Sequence, residues 1–168
     1  MDIVQNCINR AKNPSAMENW EWRKTLSIAC ALINYKGGFG VALNKETTDR
    51  SYLFGRLLAV ADYVEGLALS TRNEKRQTNS QRLMSVFSNM PLDTWTNIYG
   101  NLGPYWSRLY NNGFSHRKLI DEITNQFEFN DFNNNRLNGV FLQGYSSQMM
   151  ELRNKKEATS KEEEESKQ

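Results

Sequence analysis

The chain has 168 residues, 39% hydrophobic and 24% charged, the balance of an ordinary globule with one core rather than of a low-complexity or fibrous chain. Twenty-one Lys and Arg against nineteen Asp and Glu leave a net charge of +2, which excludes a uniformly basic nucleic-acid binder and requires any cationic surface to be local. No apolar run reaches bilayer length, and Met1 to Lys12 lacks the basic start, apolar stretch and cleavage site of a signal peptide, so a cytoplasmic protein is expected.

Helical spacing dominates the order of elements. Ile3, Val4, Cys7, Ile8 and Ala11 recur at helical intervals until Asn13-Pro14 breaks the run. Ser15 precedes Glu18 at capping-box spacing, and Trp20, Trp22, Leu26, Ala29, Cys30 and Ile33 predict a second helix to about Tyr35. Gly37-Gly38-Phe39-Gly40 then suits a hinge; it lacks the Gly-Lys-Ser/Thr ending and the preceding strand of a phosphate loop. Leu53, Leu57, Val60, Val64 and Leu67 form one packed seam, with Gly55, Ala59 and Gly66 permitting close approach by neighbours. Asn79 to Phe87 reads as a short amphipathic stretch. Pro91 suits the start of a helix carrying Leu92, Trp95, Ile98, Tyr99 and Leu102, which Gly103-Pro104 bends or ends. Ser115 is placed to cap a helix with Leu119, Ile120, Ile123 and Phe127 inside. A last helix is expected to begin near Asp131 to Asn133 and to use Leu137, Phe141, Tyr145, Met149 and Leu152, with Gly139 and Gly144 on its course.

No segment alternates convincingly with period two, and the connections are short, so the expected fold is an all-α antiparallel helical bundle over residues 1–153. Residues 154–168 contain no large apolar side chain and include Glu162-Glu163-Glu164-Glu165, the composition of a disordered charged tail or a frayed helix end.

The residues that carry chemistry exclude more than they supply. Cys7 and Cys30 form no CxxC pair and have aliphatic neighbours, which fits buried reduced thiols. The single histidine, His116, cannot complete a Ser-His-Asp or Cys-His arrangement and reads as a surface residue at a helix start. Asp121, Glu122, Glu128 and Asp131 are the dense acidic set, a solvated helix face rather than a metal centre. No catalytic residue, metal or cofactor is therefore expected, and binding is the more economical function. The aromatic residues offer stacking surfaces, although their helical spacing places most of them in a core. Arg72, Lys75, Arg76 and Arg82 are the strongest local cationic set, opposed only by Glu74. If the segment is helical, Arg72 shares a face with Arg76 and Lys75 with Arg82; the bland alternative is a solvated connector. As a phosphate track the set would bind without reading bases, and Arg117, Lys118, Arg23, Lys24, Arg50, Arg56 and Arg108 are available to extend it.

Three stretches carry a family resemblance. Asn19-Trp-Glu-Trp-Arg-Lys-Thr-Leu-Ser-Ile-Ala-Cys-Ala-Leu-Ile33, Ser51-Tyr-Leu-Phe-Gly-Arg-Leu-Leu-Ala-Val60 and Gly139-Val-Phe-Leu-Gln-Gly-Tyr-Ser-Ser-Gln148 resemble the C-terminal part of the large subunit of the type I-C CRISPR Cascade. The Tyr-Leu-x-Gly-Arg-Leu-x-Ala pattern is the most specific of them. The family's Asn-x-Thr-Ile-x-Asp-Arg-Tyr-like stretch is reduced here to Asn79-Ser-Gln-Arg-Leu-Met, and its terminal Gly-Tyr-Tyr-His-Gln appears as Gly144-Tyr-Ser-Ser-Gln148. In that family the same region is also made as a separate small subunit from an internal start, which Met1 at this boundary fits. The resemblance implies a helical, non-catalytic small subunit that packs with the large subunit, the backbone subunits and further copies of itself. It would lie beside guide RNA and target DNA and help to hold the displaced strand. A spacer that completes the complex through helix contacts and touches nucleic acid little is the alternative.

Overall fold

The computed structural model describes the backbone of residues 42–165 and the side chains as far as Lys156. The first two predicted helices, the glycine hinge, both cysteines, Arg23 and Lys24 lie outside the described residues. From Ala42 onward the chain clusters as one compact unit. Its helices are α1 (Arg50–Ser70), α2 (Asn79–Asn89), α3 (Pro91–Gly100), α4 (Gly103–Trp106), α5 (Phe114–Thr124) and α6 (Val140–Glu165), with a 3-10 turn at Tyr110–Gly113 before α5. This is an all-α helical bundle, and no strand occurs among the described residues.

Asp49 starts α1 by accepting the Tyr52 amide on its carboxylate at 2.9 Å. The predicted seam is present but is one stripe of a helix that is apolar nearly all round: Leu53, Phe54, Leu57, Leu58, Val60, Ala61 and Val64 are each 0% exposed, while Leu67 at the seam's end is half-buried. A helix of that kind must be covered on several sides, and α2 to α6 all pack on it.

The closest of these contacts is with α6, where backbone meets backbone. A Cβ on Gly55 would stand 2.0 Å from the Phe141 carbonyl oxygen, and one on Gly144 would stand 2.1 Å from that of Tyr52. Each helix thus lays a glycine against the other's main chain. Gly66, by contrast, faces open space, so its predicted role in close packing is not observed. Beside the crossing, Phe54 packs edge-on to Phe127 at 4.9 Å and stacks on Phe132 at 5.3 Å.

A second tie is polar. Thr78 caps α2 by accepting the Gln81 amide at 3.2 Å, and its hydroxyl donates to Asp62 Oδ1 at 2.5 Å. Gln81 Nε2 donates to the other Asp62 oxygen at 3.1 Å, which also accepts the Tyr145 hydroxyl from α6. Glu65 Oε2, one turn along α1, accepts the Ser80 amide at 2.9 Å. Two buried carboxylates of α1 therefore face the N-terminus of α2, where unpaired amides and the helix dipole favour negative charge. Burial nevertheless pushes the Glu65 carboxyl above its ordinary range, against the opposing pull of its bonds to Ser80 and Asn79.

Two expected boundaries move. Gly113, left-handed at φ 65°, precedes α5 as its N-cap, so Ser115 lies inside the first turn rather than capping it. The last helix begins at Val140 rather than near Asp131 to Asn133, because Arg50 takes the carbonyls that a helix there would need. Its guanidinium donates to the carbonyl oxygens of Asp131, Asn133 and Asn135 at 2.6, 2.7 and 2.8 Å. At the other end, α6 continues past Leu152, the last buried residue described, to Glu165. The helix thus enters the segment expected as a charged tail, in the manner of a helix end that has left the core.

The glycine contact predicts that Gly55→Ala or Gly144→Ala lowers stability by about 1–3 kcal/mol or more, since the added methyl meets main chain that cannot rotate away. Chemical denaturation measures this, and an unchanged midpoint in both variants would remove the contact from the account. Glu65 predicts a pH dependence. With its folded-state pKa raised, the native state holds the proton longer, so the Glu65 contribution is full below the unfolded value of about 4.3 and is lost as pH rises through the folded value. Glu65→Gln should flatten that fall; a profile as steep as the parent's would assign the fall to other groups.

Candidate nucleic-acid interface

The strongest cationic set of the sequence does not lie on one helix. Asn73, left-handed at φ 54°, ends α1 with the Glu74 amide bonded back to the Leu69 carbonyl at 3.1 Å, a Schellman-type stop. The condition for a shared helical face is therefore not met. Arg72, Lys75 and Arg76 stand instead on the non-helical connector between α1 and α2, and Arg82 stands on α2; all four are exposed. The polar tie of Thr78 and Ser80 to α1 holds the connector's far end in place.

Contacts link this connector to the chain around α4. Glu74 lies between two guanidinia, 3.0 Å from Arg76 Nε and 3.8 Å from Arg108 Nη1. The Arg108 guanidinium lies over the Tyr105 ring, 5.7 Å from its centroid, and the Tyr105 hydroxyl accepts from Asn79 Nδ2 at 3.2 Å. Asn79 Oδ1 in turn accepts from Arg82 at 2.6 Å. Arg76, Glu74, Arg108, Tyr105, Asn79 and Arg82 thus form one continuous run of touching groups. On the next residue, Trp106, the Arg117 guanidinium sits 5.0 Å from the ring centroid. Lys118 is exposed and paired with Glu122 at 3.9 Å one helical turn on. Arg72 and Lys75 have no partner among the described residues.

Arg56 belongs to the interior, and Arg50, half-buried, ties α1 to the loop before α6. Arg50 is engaged by loop carbonyls and lies over Phe54 at 5.0 Å. Arg56 is 2% exposed and donates to Gln148 Oε1 at 3.0 Å and Gln126 Oε1 at 2.8 Å, not to Asp62 or Glu65, whose carboxylates are engaged by α2. Burial lowers the pKa of both guanidinia. A polar cavity of about 110 Å³ borders Arg56, Gln126 and Gln148, with Lys45, Glu122 and Glu151 among its walls. His116 is half-buried rather than a free surface residue; it lies 5.7 Å from the Tyr63 ring, and burial lowers its pKa. Asp121, Glu122 and Glu128 are exposed, and Asp131 is half-buried. Among the described residues, no group of three or more His, Cys, Asp or Glu is placed to hold a metal ion, and no helix is long and apolar enough to cross a membrane.

Asn79 and Tyr105 join the basic run without having been singled out as site residues. Nothing in their spacing marks them, because their part depends on α2 and α4 meeting in space. The spacing of Tyr110 and Phe114 marks neither as exposed, although Asn111-Asn112-Gly113 between them is a visible turn signal.

Arg50→Ala and Arg56→Ala should each lower stability by about 2 kcal/mol or more, the scale of charged hydrogen bonds lost inside a protein, and leave binding by the folded protein unchanged. Thermal melts and binding titrations on the same samples test this. Lost binding with an unaltered melt would return either arginine to the interface.

A search of curated proteins finds no match. The family described as CRISPR-associated protein (Cas_Csd1) matches residues 1–153. Gly55 and Arg56 of the Tyr-Leu-x-Gly-Arg stretch meet the Gly144 to Gln148 stretch across the α1/α6 contact. The chain belongs to the Cas_Csd1 family of CRISPR-associated proteins.

Proposed function

We propose that this chain is the non-catalytic small subunit of a type I-C CRISPR RNA-guided surveillance complex. In this reading it packs with the large subunit, the backbone subunits and further copies of itself in the cytoplasm, and its basic side steadies the opened target DNA. The observation that carries the reading is the exposed set of Arg72, Lys75 and Arg76 on a connector whose far end is tied to the core, with Arg82 on the first turn of α2 beside it. Family membership supplies the setting. Backbone contacts of this kind gain affinity from released counterions and read no sequence, which suits a complex in which base pairing with the guide does the reading. Exchange of a DNA duplex for a guide-target duplex is nearly balanced, so a few cationic contacts to the displaced strand or the guide-target duplex are enough to favour opening.

A second reading, a spacer with little nucleic-acid contact, rests on the exposed apolar side chains Val86, Met90 and Tyr99 of the α2–α3 region, which a protein neighbour would cover. Complexes reconstituted with and without the chain separate the two, since a spacer alters assembly and a strand holder alters target retention.

Charge reversal of Arg72, Lys75, Arg76 and Arg82 should weaken single-strand binding and leave helicity intact. Four phosphate contacts correspond to a log-log salt slope of about −3, and the variant should lose most of that slope. Salt-dependent binding identical to the parent's would take the phosphate track away from this set.

A further inference from the structure

We infer that the turn from Tyr110 to Phe114 is a stacking site for unpaired bases, with Tyr110 and Phe114 as its platforms and Arg108 and Arg117 as its phosphate anchors. This rests on the proposed role in holding an unpaired strand and assigns the residues that grip the bases rather than the backbone.

Tyr110 is 97% exposed and Phe114 64% exposed, the larger side of the exposure range for residues that a core would readily take up. Between them Asn111 and Asn112 both lie at φ 48°, followed by Gly113 at φ 65°. Successive left-handed residues are costly for anything but glycine, and asparagine bears the cost best. The turn is also seated firmly: a Cβ on Gly113 would stand 2.5 Å from the Trp106 ring, so the loop lies directly on that indole. Strain and close seating together hold two aromatic rings outward, where hydrophobicity alone would fold them in.

The surroundings favour a polyanion over an apolar protein surface. Arg117 lies three residues after Phe114 on the same helix, so the two share a face of α5, and its guanidinium lies over the Trp106 ring at 5.0 Å. Arg108, two residues before Tyr110, lies over Tyr105 and connects through Glu74 to Arg76. Aromatic faces beside cations are the arrangement that binds single strands without regard to sequence, because every base has a stackable face. The exposed amides of Asn111 and Asn112 add donors and acceptors at the tip.

The test uses the full chain, a fluorescent oligothymidylate and an abasic strand of equal length at low salt. The Tyr110→Ala/Phe114→Ala double variant removes two exposed rings and should fold as the parent does, yet bind oligothymidylate about tenfold more weakly or worse. Tyr110→Phe should retain binding, and the parent should hold the abasic strand no better than the double variant holds oligothymidylate. Equal affinity of the parent for both strands overturns the stacking site. So does parental binding by the double variant while the four-residue charge reversal abolishes it, a result that leaves the backbone-binding role standing. If the parent binds neither strand and the double variant is lost from the reconstituted complex, the rings dock a protein, and the stacking site and the strand-holding role fall together.

Discussion

Everything described depends on two helices touching through their main chains. Gly55 and Gly144 bring α1 and α6 close enough for side chains on either side of the crossing to bond across it. Arg56 reaches Gln148, and Tyr145 reaches Asp62, only because no Cβ holds the helices apart. A crossing of this kind tolerates little sliding, since each glycine fits one place on its partner. In this chain Gly55 and Arg56 stand side by side: the first sets the distance and the second uses it.

From that crossing the order passes outward through polar groups rather than through further apolar packing. Asp62 is held by α6 on one side and holds the cap of α2 on the other, and Glu65 takes the next free amide of α2. The start of α2 is thereby set relative to the core, and with it the end of the connector that bears Arg72, Lys75 and Arg76. Buried carboxylates are costly unless their bonds are made. Here both are aimed at a helix N-terminus, whose residues bond each Asp62 oxygen and one oxygen of Glu65, while the second Glu65 oxygen is buried without a hydrogen-bond partner among the described residues, in keeping with its raised pKa. An exposed cationic strip on an untied loop would spend entropy on each contact; one tied at its end spends less.

The all-α class, the long central helix and the proline start of α3 were legible because periodicity and backbone chemistry are local. The starts of α5 and α6 were not. Ser115 has the right side chain for a cap, but the left-handed run ending in Gly113 turns the chain first. The onset of α6 was hidden because the competitor for its carbonyls, Arg50, is distant in sequence. The same distinction runs through the basic residues. Composition identifies them all as cations, and only tertiary placement separates Arg50 and Arg56, whose guanidinia are bonded within the fold, from Arg72, Lys75, Arg76 and Arg82 at the surface. Asn73, whose left-handed backbone ends α1 inside the basic set, decided the shape of that surface, and a lone asparagine announces this only weakly.

Glu74 gives this surface a further property. A carboxylate held between Arg76 and Arg108 is a resident rival to any phosphate arriving there, already in place and carried by the same chain. In the proposed role an incoming polyanion would have to dislodge it, so stray nucleic acid would meet a partly satisfied surface and leave easily. A strand delivered at high local concentration by a larger assembly can outcompete it. In the proposed role the single acid in the basic run would act as a threshold, turning simple charge attraction into a grip that closes only on what has been brought near.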